Sequence, residues 1–340
     1  MSRRYLVTGG CGALGAPLVR ALVGKGHRVR VLDDSSRGSA SRLADLQGRC
    51  ELVAGDVRDP KAVRRAVRGV DSVCHLAFVN GTEHFYQRPA YVLDVGVKGM
   101  LNVLDACIAA GVKELILASS SEVYHRPPSI PADESAPLVI PDPHNPRYSY
   151  AGGKIISELM VLHYGKAYFD RVLIFRPHNV YGPDMGWEHV IPQLTRRMVE
   201  AKAQTGEATI TLPIQGDGSH TRAFIYVEDF IAALMLVMEQ GAHLNIYHIG
   251  TMDEVAIRDV AERIGQCLGV GVRLTPGPDA EGGTPHRCPD TRKLQALGFR
   301  PGITFDEGLR RTVEWYARHV PPQGGRAAPA LSEPSMTTRG

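Results

Sequence analysis

Tyr150 and Lys154 stand four residues apart in the run Tyr150-Ala151-Gly152-Gly153-Lys154. On a helix that spacing puts a phenol and an ammonium on one face. A neighbouring ammonium favours phenolate and lowers the phenol pKa, which makes the tyrosine a base nearer neutral pH. Alone, such a pair is an ordinary surface feature. Ser119, Ser120 and Ser121 change its meaning, because they follow the strand-like run that starts at Glu114. Strand C-termini are where open α/β sheets hold their ligands.

A second cluster lies near the N-terminus, in Thr8-Gly9-Gly10-Cys11-Gly12-Ala13-Leu14-Gly15. Gly9, Gly12 and Gly15 are spaced G-x-x-G-x-x-G between a strand and a helix. Such glycines allow a tight turn, close backbone approach to a pyrophosphate and close packing of helix on strand. The free N–H groups and partial positive charge of the helix N-terminus then suit the phosphates. Asp33 ends the next strand, where a carboxylate accepts hydrogen bonds from ribose hydroxyls and repels a 2′-phosphate. The expected ligand is a dinucleotide, NAD rather than NADP. Arg37 argues the other way, since an arginine there suits a 2′-phosphate.

These groups must be positioned by strands and helices, and the chain supplies them alternately. Tyr5–Thr8, Arg28–Asp33, Glu51–Ala54, Ser72–Ala77, Glu114–Ser119 and Arg171–Arg176 read as six strands. Helices are expected over Ala13–Lys25, Tyr91–Ala110 and Tyr148–Tyr168. Short apolar runs alternating with helices indicate an α/β fold with a doubly wound parallel sheet. After Pro177 glycine, proline and histidine become frequent. Residues 1–176 are therefore assigned to nucleotide binding and 177–320 mainly to a smaller C-terminal substrate lobe, with Ile246–Ile249 returning to the main sheet. The segment 321–340 is low in bulky apolar residues and is expected to be a disordered tail.

Composition narrows the alternatives. The 340 residues carry 39 Lys plus Arg and 36 Asp plus Glu, a net charge of +3, and no basic stripe, so nucleic acid is not an expected partner. No apolar run is long enough to span a bilayer, and no secretory signal is visible. Six scattered cysteines without C-x-x-C spacing suggest reduced thiols in a cytoplasmic protein. No metal site is expected, since His178 and His189 lack ligand spacing.

Taken together, TGGCGALG, the Asp33 strand end, Gly55-Asp56-Val57-Arg58-Asp59, His75-Leu76-Ala77, SSSEVY, YSYAGGK, RPHNVYGP and GDGSHTRAFIYVED resemble the extended short-chain dehydrogenase/reductases. Within them the likeness is to the NAD-dependent nucleotide-sugar epimerases and dehydratases. The resemblance covers about Arg3 to His319 and implies a Rossmann-type sheet, NAD as cofactor, a nucleotide-sugar substrate and a homodimer paired through the helices Tyr91–Ala110 and Tyr148–Tyr168.

It also implies roles. Gly9, Gly12, Ala13, Leu14, Gly15 and Asp33 would hold the dinucleotide, with Asp56 and Val57 at the adenine and Leu76, Ala77 and Pro177 along the cleft. Tyr150 would be the base, Ser120 the hydroxyl partner, and Lys154 would also bind the nicotinamide ribose. Ser121 and Asn179 would face the substrate, and Arg222 and Arg287 would grip its diphosphate. His178, Trp187, Glu188 and His189 are further candidates for shaping the sugar pocket.

Three positions depart from the family pattern: His125 stands where glycine is usual, Ala223 where aspartate is usual and Asp94 where asparagine is usual. The shared first step makes a 4-keto sugar, which then has three fates. Epimerisation is the first expectation. Glu122 also resembles the base of 4,6-dehydratases, and with Ser121 and Arg287 it resembles nucleotide-hexuronate decarboxylases. A non-enzymatic NAD(P)-sensing module on the same fold is the contrasting class, opposed by the complete Ser120/Tyr150/Lys154 set.

Overall fold

The computed structural model describes residues 2–278 and 284–320, so the expected tail 321–340 lies outside the described residues. Six strands follow the expected rhythm: β1 (Arg4–Thr8), β2 (Arg28–Asp33), β3 (Cys50–Ala54), β4 (Ser72–His75), β5 (Glu114–Ala118) and β6 (Arg171–Pro177). With the strand Asn245–Ile249 they form one seven-stranded sheet, ordered Asn245–Ile249, β6, β5, β4, β1, β2, β3. Every pairing is parallel. The order reverses between β1 and β4, and the carboxyl ends of these strands open a crevice at that switch point.

The central strands β5 and β6 carry near-continuous apolar runs because both of their faces are covered, whereas β2 and the edge strand β3 keep charged and exposed positions. Leu6, Leu115, Leu117, Val172 and Ile174 point into one buried core. Their alternates Val7, Ile116, Leu173 and Phe175 point into the other. That split is the period of two expected of a pleated strand.

Two expectations need correction. β4 stops at His75, two residues early, and leaves Leu76 and Ala77 as cleft wall. The helix expected over Tyr91–Ala110 is not uniform: α-helix at Pro89–Leu93, a wider π turn at Asp94–Lys98, then α-helix at Gly99–Ala110. The π turn carries Gly96, where a Cβ would collide with the Phe78 ring. The same ring lies 3.0 Å from where a Cβ of Gly153 would be. Phe78 is thus wedged between two helices whose sequences make room for it, and such turns occur often at functional sites.

Beyond β6 the chain builds small sheets. Thr221–Ala223 lies between antiparallel Glu254–Ala256 and parallel His286–Arg287. Thr209–Gln215 pairs in parallel with Gly271–Gly277. Among the described residues no helix is long and apolar enough to cross a membrane.

Candidate active site

The glycine loop leaves β1 and enters the helix Gly15–Gly24. Gly9 has φ +71°, and a Cβ there would lie 2.8 Å from the Ala77 backbone nitrogen. A Cβ at Gly15 would collide with the Gly9 carbonyl oxygen. Gly12 N–H donates to that same oxygen at 3.1 Å. Side chains are thus excluded, and the loop folds into a backbone cradle at a helix N-terminus, which suits a pyrophosphate. Asp33 steadies the cradle: its carboxylate accepts from the Cys11 N–H at 2.9 Å and the Ser35 N–H at 2.8 Å. Burial raises its pKa, and those two N–H groups oppose the rise. Arg37 is engaged elsewhere, donating to Glu188 at 2.9 Å.

One cleft of about 460 Å³ runs from this loop across the strand ends. Gly9, Gly12, Ala13, Leu14, Gly15, Asp33, Asp56, Val57, Leu76 and Ala77 line the half beside the glycine loop. Ser120, Ser121, Glu122, Tyr150, Lys154, Pro177, Asn179 and Arg287 line the other. Arg222 lies in an adjoining cavity of about 660 Å³ that shares Asn179, Glu188 and His189 with the first. His178 does not reach the cleft; it is buried against His248, with ring centroids 4.7 Å apart. Trp187 packs on Tyr316 instead.

Tyr150 and Lys154 rise from the first turns of the helix Tyr148–Tyr168. The phenol is buried between Phe78, met edge-on at 5.1 Å, and Phe85, stacked at 5.1 Å. Burial pushes its pKa up to about 12, and the Ser120 hydroxyl, its hydrogen-bond partner, pulls the other way. Lys154 does not supply the lowering expected from spacing. Its Nζ donates to the Ala118 carbonyl at 2.6 Å and sits 3.9 Å above the Phe78 ring, 5.8 Å from the Tyr150 ring centre. Burial brings its own pKa down to about 7.

Glu122 follows Ser120 in a short 3-10 turn, and the Ser120 Oγ accepts from the Glu122 N–H at 3.1 Å. Arg287 donates to the Glu122 carboxylate at 2.7 Å. Burial acts to raise the Glu122 pKa, but the Arg287, Arg147 and Arg222 charges outweigh it and leave the carboxyl below its ordinary value. Strand register explains part of this cluster: Arg222 and Arg287 are opposite one another on paired strands. Like charges so placed repel unless an anion joins them. Burial and Arg287 bring Arg222 down to about 10.

Sequence reading missed Arg147 and Phe78. Arg147 directly precedes the helix Tyr148–Tyr168 and has no partner in any spacing rule. Phe78 had only its place after Ala77 to mark it. Two ion pairs also join the dinucleotide side to the loop after β6: Arg37 with Glu188, and Arg42 with Asp184 at 2.6 Å. Among the described residues no group of three His, Cys, Asp or Glu is placed to hold a metal ion.

A switch-point crevice, a glycine cradle and a Ser/Tyr/Lys set at the strand ends define a dinucleotide-dependent enzyme of the short-chain dehydrogenase/reductase class. Residues 5–250 match the NAD dependent epimerase/dehydratase family, and the chain belongs to it. The UDP-N-acetyl-alpha-D-glucosaminuronate decarboxylase of Bacillus cytotoxicus is 29% identical over 326 residues, 93% of this chain and 98% of its own. The dTDP-glucose 4,6-dehydratase of Streptomyces venezuelae, solved with NAD bound, is 32% identical with a TM-score of 0.81, covering 93% of this chain and 97% of its own. The UDP-glucose 4-epimerase of Thermus thermophilus, also solved with NAD, is 29% identical with a TM-score of 0.80, covering 92% and 98%. The cofactor is NAD, and the family comprises nucleotide-sugar epimerases, dehydratases and decarboxylases.

Proposed function

We propose that the protein is a nucleotide-sugar epimerase that works through a 4-keto sugar. Tyr150 takes the proton of the C4 hydroxyl, and Ser120 hydrogen-bonds the oxygen as it becomes a ketone. Bound NAD supplies the hydride acceptor and donor, held by the Gly9–Gly15 cradle, Asp33 and Lys154. Lys154, as the ammonium, favours the phenolate once it is drawn from the Ala118 carbonyl. Arg222 and Arg287 receive the diphosphate, the anion that relieves their repulsion. On this reading 177–320 is the substrate part of the chain, and the active form is a cytoplasmic homodimer, for which light scattering is expected to give twice the chain mass of 37.0 kDa.

The observation that carries epimerisation is the 2.7 Å bond between Glu122 and Arg287. It commits to an ion pair the carboxylate that a dehydratase would need free as its C5 base. Ser121 stands where elimination of the C6 hydroxyl needs an acid, which disfavours the dehydratase. Return of the hydride to the opposite face of the C4 ketone needs neither group.

A second reading, decarboxylation of a nucleotide hexuronate, is favoured by Arg147. Three guanidiniums surround one carboxylate, one more than a diphosphate grip uses, and a C6 carboxylate would balance it. The test is incubation in D₂O with a panel of UDP-, dTDP-, GDP- and CDP-sugars, hexuronates included, followed by NMR. An epimer without deuterium on carbon supports the first reading. A product that has lost CO₂ and carries deuterium at C5 replaces it with the second.

A further inference from the structure

Behind the cleft lies a chain of buried polar groups that the proposed chemistry leaves unused. Glu158, on the helix of Tyr150 and Lys154 and one turn beyond Lys154, is 1% exposed. Its carboxylate accepts from the Ser119 hydroxyl and from two nitrogens of Arg176, at 2.8 and 2.6 Å. Arg176, also 1% exposed, turns its remaining nitrogen to the Tyr124 hydroxyl and to the Glu134 carbonyl at 3.1 Å. The Tyr124 hydroxyl meets His248 Nε2 at 2.6 Å, and His248 Nδ1 faces the Asp290 carbonyl at 3.1 Å.

The topology of these bonds is informative. Ser119 and Tyr124 are the two ends of the turn that carries Ser120, Ser121 and Glu122. Glu158 holds one end and Arg176 the other, while each holds its partner. A buried ion pair is weak evidence for stability, since desolvation offsets much of its attraction. Its placement here suggests a different use.

We propose that the Glu158–Arg176 pair is a positioning element: it clamps both ends of the Ser119–Tyr124 turn against the catalytic helix, fixing Ser120 on the Tyr150 phenol, and sets a buried negative charge one helical turn from Lys154. This rests on the reading that Ser120, Tyr150 and Lys154 carry the chemistry. The Ser120 hydroxyl, two residues past β5, is the hydrogen-bond partner of Tyr150, and the Ser119–Glu158 bond adds to the Lys154–Ala118 bond a second tie between that strand end and the helix. Lys154 meets few other groups. The Ala118 carbonyl comes from β5, Phe78 from the loop after β4, neutral His75 from the end of β4, and Tyr150 and Glu158 from its own helix. Against the desolvation of the ammonium, Glu158 is the charge that favours it.

The test uses full-length Ser119→Ala, Ser119→Thr, Tyr124→Phe and Glu158→Gln, with a nucleotide sugar turned over in the panel above. Ser119→Ala and Tyr124→Phe each lower kcat about tenfold with KM nearly unchanged, the scale of a small misplacement of reacting groups. Ser119→Thr, which keeps the hydroxyl, restores kcat. Lys154 is titrated without substrate by NMR of ¹³C-labelled lysine, assigned with Lys154→Met. Its pKa falls by about one unit in Glu158→Gln, as loss of a nearby opposite charge requires, and stays in place in Ser119→Ala. Wild-type kcat in both Ser119→Ala and Tyr124→Phe overturns the clamp, as does an unmoved Lys154 in folded Glu158→Gln. If Glu158→Gln does not fold, the Ser119 and Tyr124 variants decide alone. The lysine titration does not depend on which product forms, so failure of the epimerase reading leaves it intact.

Discussion

The half of the cleft beside the glycine loop is made of backbone, and the half beside Ser120 and Tyr150 is made of charge. In the first, Gly9 and Gly15 remove side chains so that the chain can touch itself, and Asp33 fixes the loop through two N–H groups. In the second, Glu122, Arg147, Arg222 and Arg287 come from four separate stretches of the chain and meet through strand register and turn geometry. A backbone site tolerates almost no change of shape but accepts one ligand scaffold throughout a family. A charge site can be retuned one residue at a time, which fits relatives of similar fold that carry out different reactions on sugars.

The sharpest break should come at the meeting of the halves. Tyr150→Phe is expected to lower turnover by about 10²-fold or more, the scale of a lost general base, with circular dichroism and NAD binding retained. Wild-type-like turnover would remove Tyr150 from the chemistry. On the backbone side, Gly15→Ala must push the Gly9 carbonyl aside. Overpacking of this kind costs about 1–3 kcal/mol, so the expected result is a lowered Tm together with weakened NAD binding by calorimetry.

On the charge side, Glu122→Gln should keep substantial epimerase activity, since only the C4 hydrogen moves. Build-up of NADH absorbance in that variant would instead give Glu122 an obligatory step. The same variant has a pH signature. Glu122 is held below its ordinary pKa, so its ion pair contributes stability above the unfolded carboxyl value, lost as pH falls through the lower folded value. Acid unfolding of Glu122→Gln should therefore show a flatter pH dependence than wild type. The smallest effect belongs to Asp33→Ala, which should weaken NAD and narrow its preference over NADP. An unchanged ratio of the two affinities would place Asp33 away from the ribose.

Legibility in the sequence followed the same division. β1 to β6, the glycine loop and the helix Tyr148–Tyr168 could be read because each is local: a period, a turn residue, an apolar run. Arg147 could not, because its meaning comes from Glu122, which reaches it only after the chain folds. The effect of Lys154 on Tyr150 was misread for a related reason. Spacing places both on one helix face, but the Ala118 carbonyl and Phe78 ring, from other elements, decide where the ammonium rests. The π turn at Asp94–Lys98 escaped a period-based reading because Phe78, outside the helix, accounts for the space it opens.

The pairs Arg37–Glu188 and Arg42–Asp184 bear on timing. All four groups keep contact with solvent, so each pair contributes at most about 1 kcal/mol. Together they tie the glycine-loop side of the cleft to the loop after β6 by contacts that salt screens at once. The expected outcome is cofactor release that quickens with added salt, and a release rate independent of salt would give the two pairs no part in it.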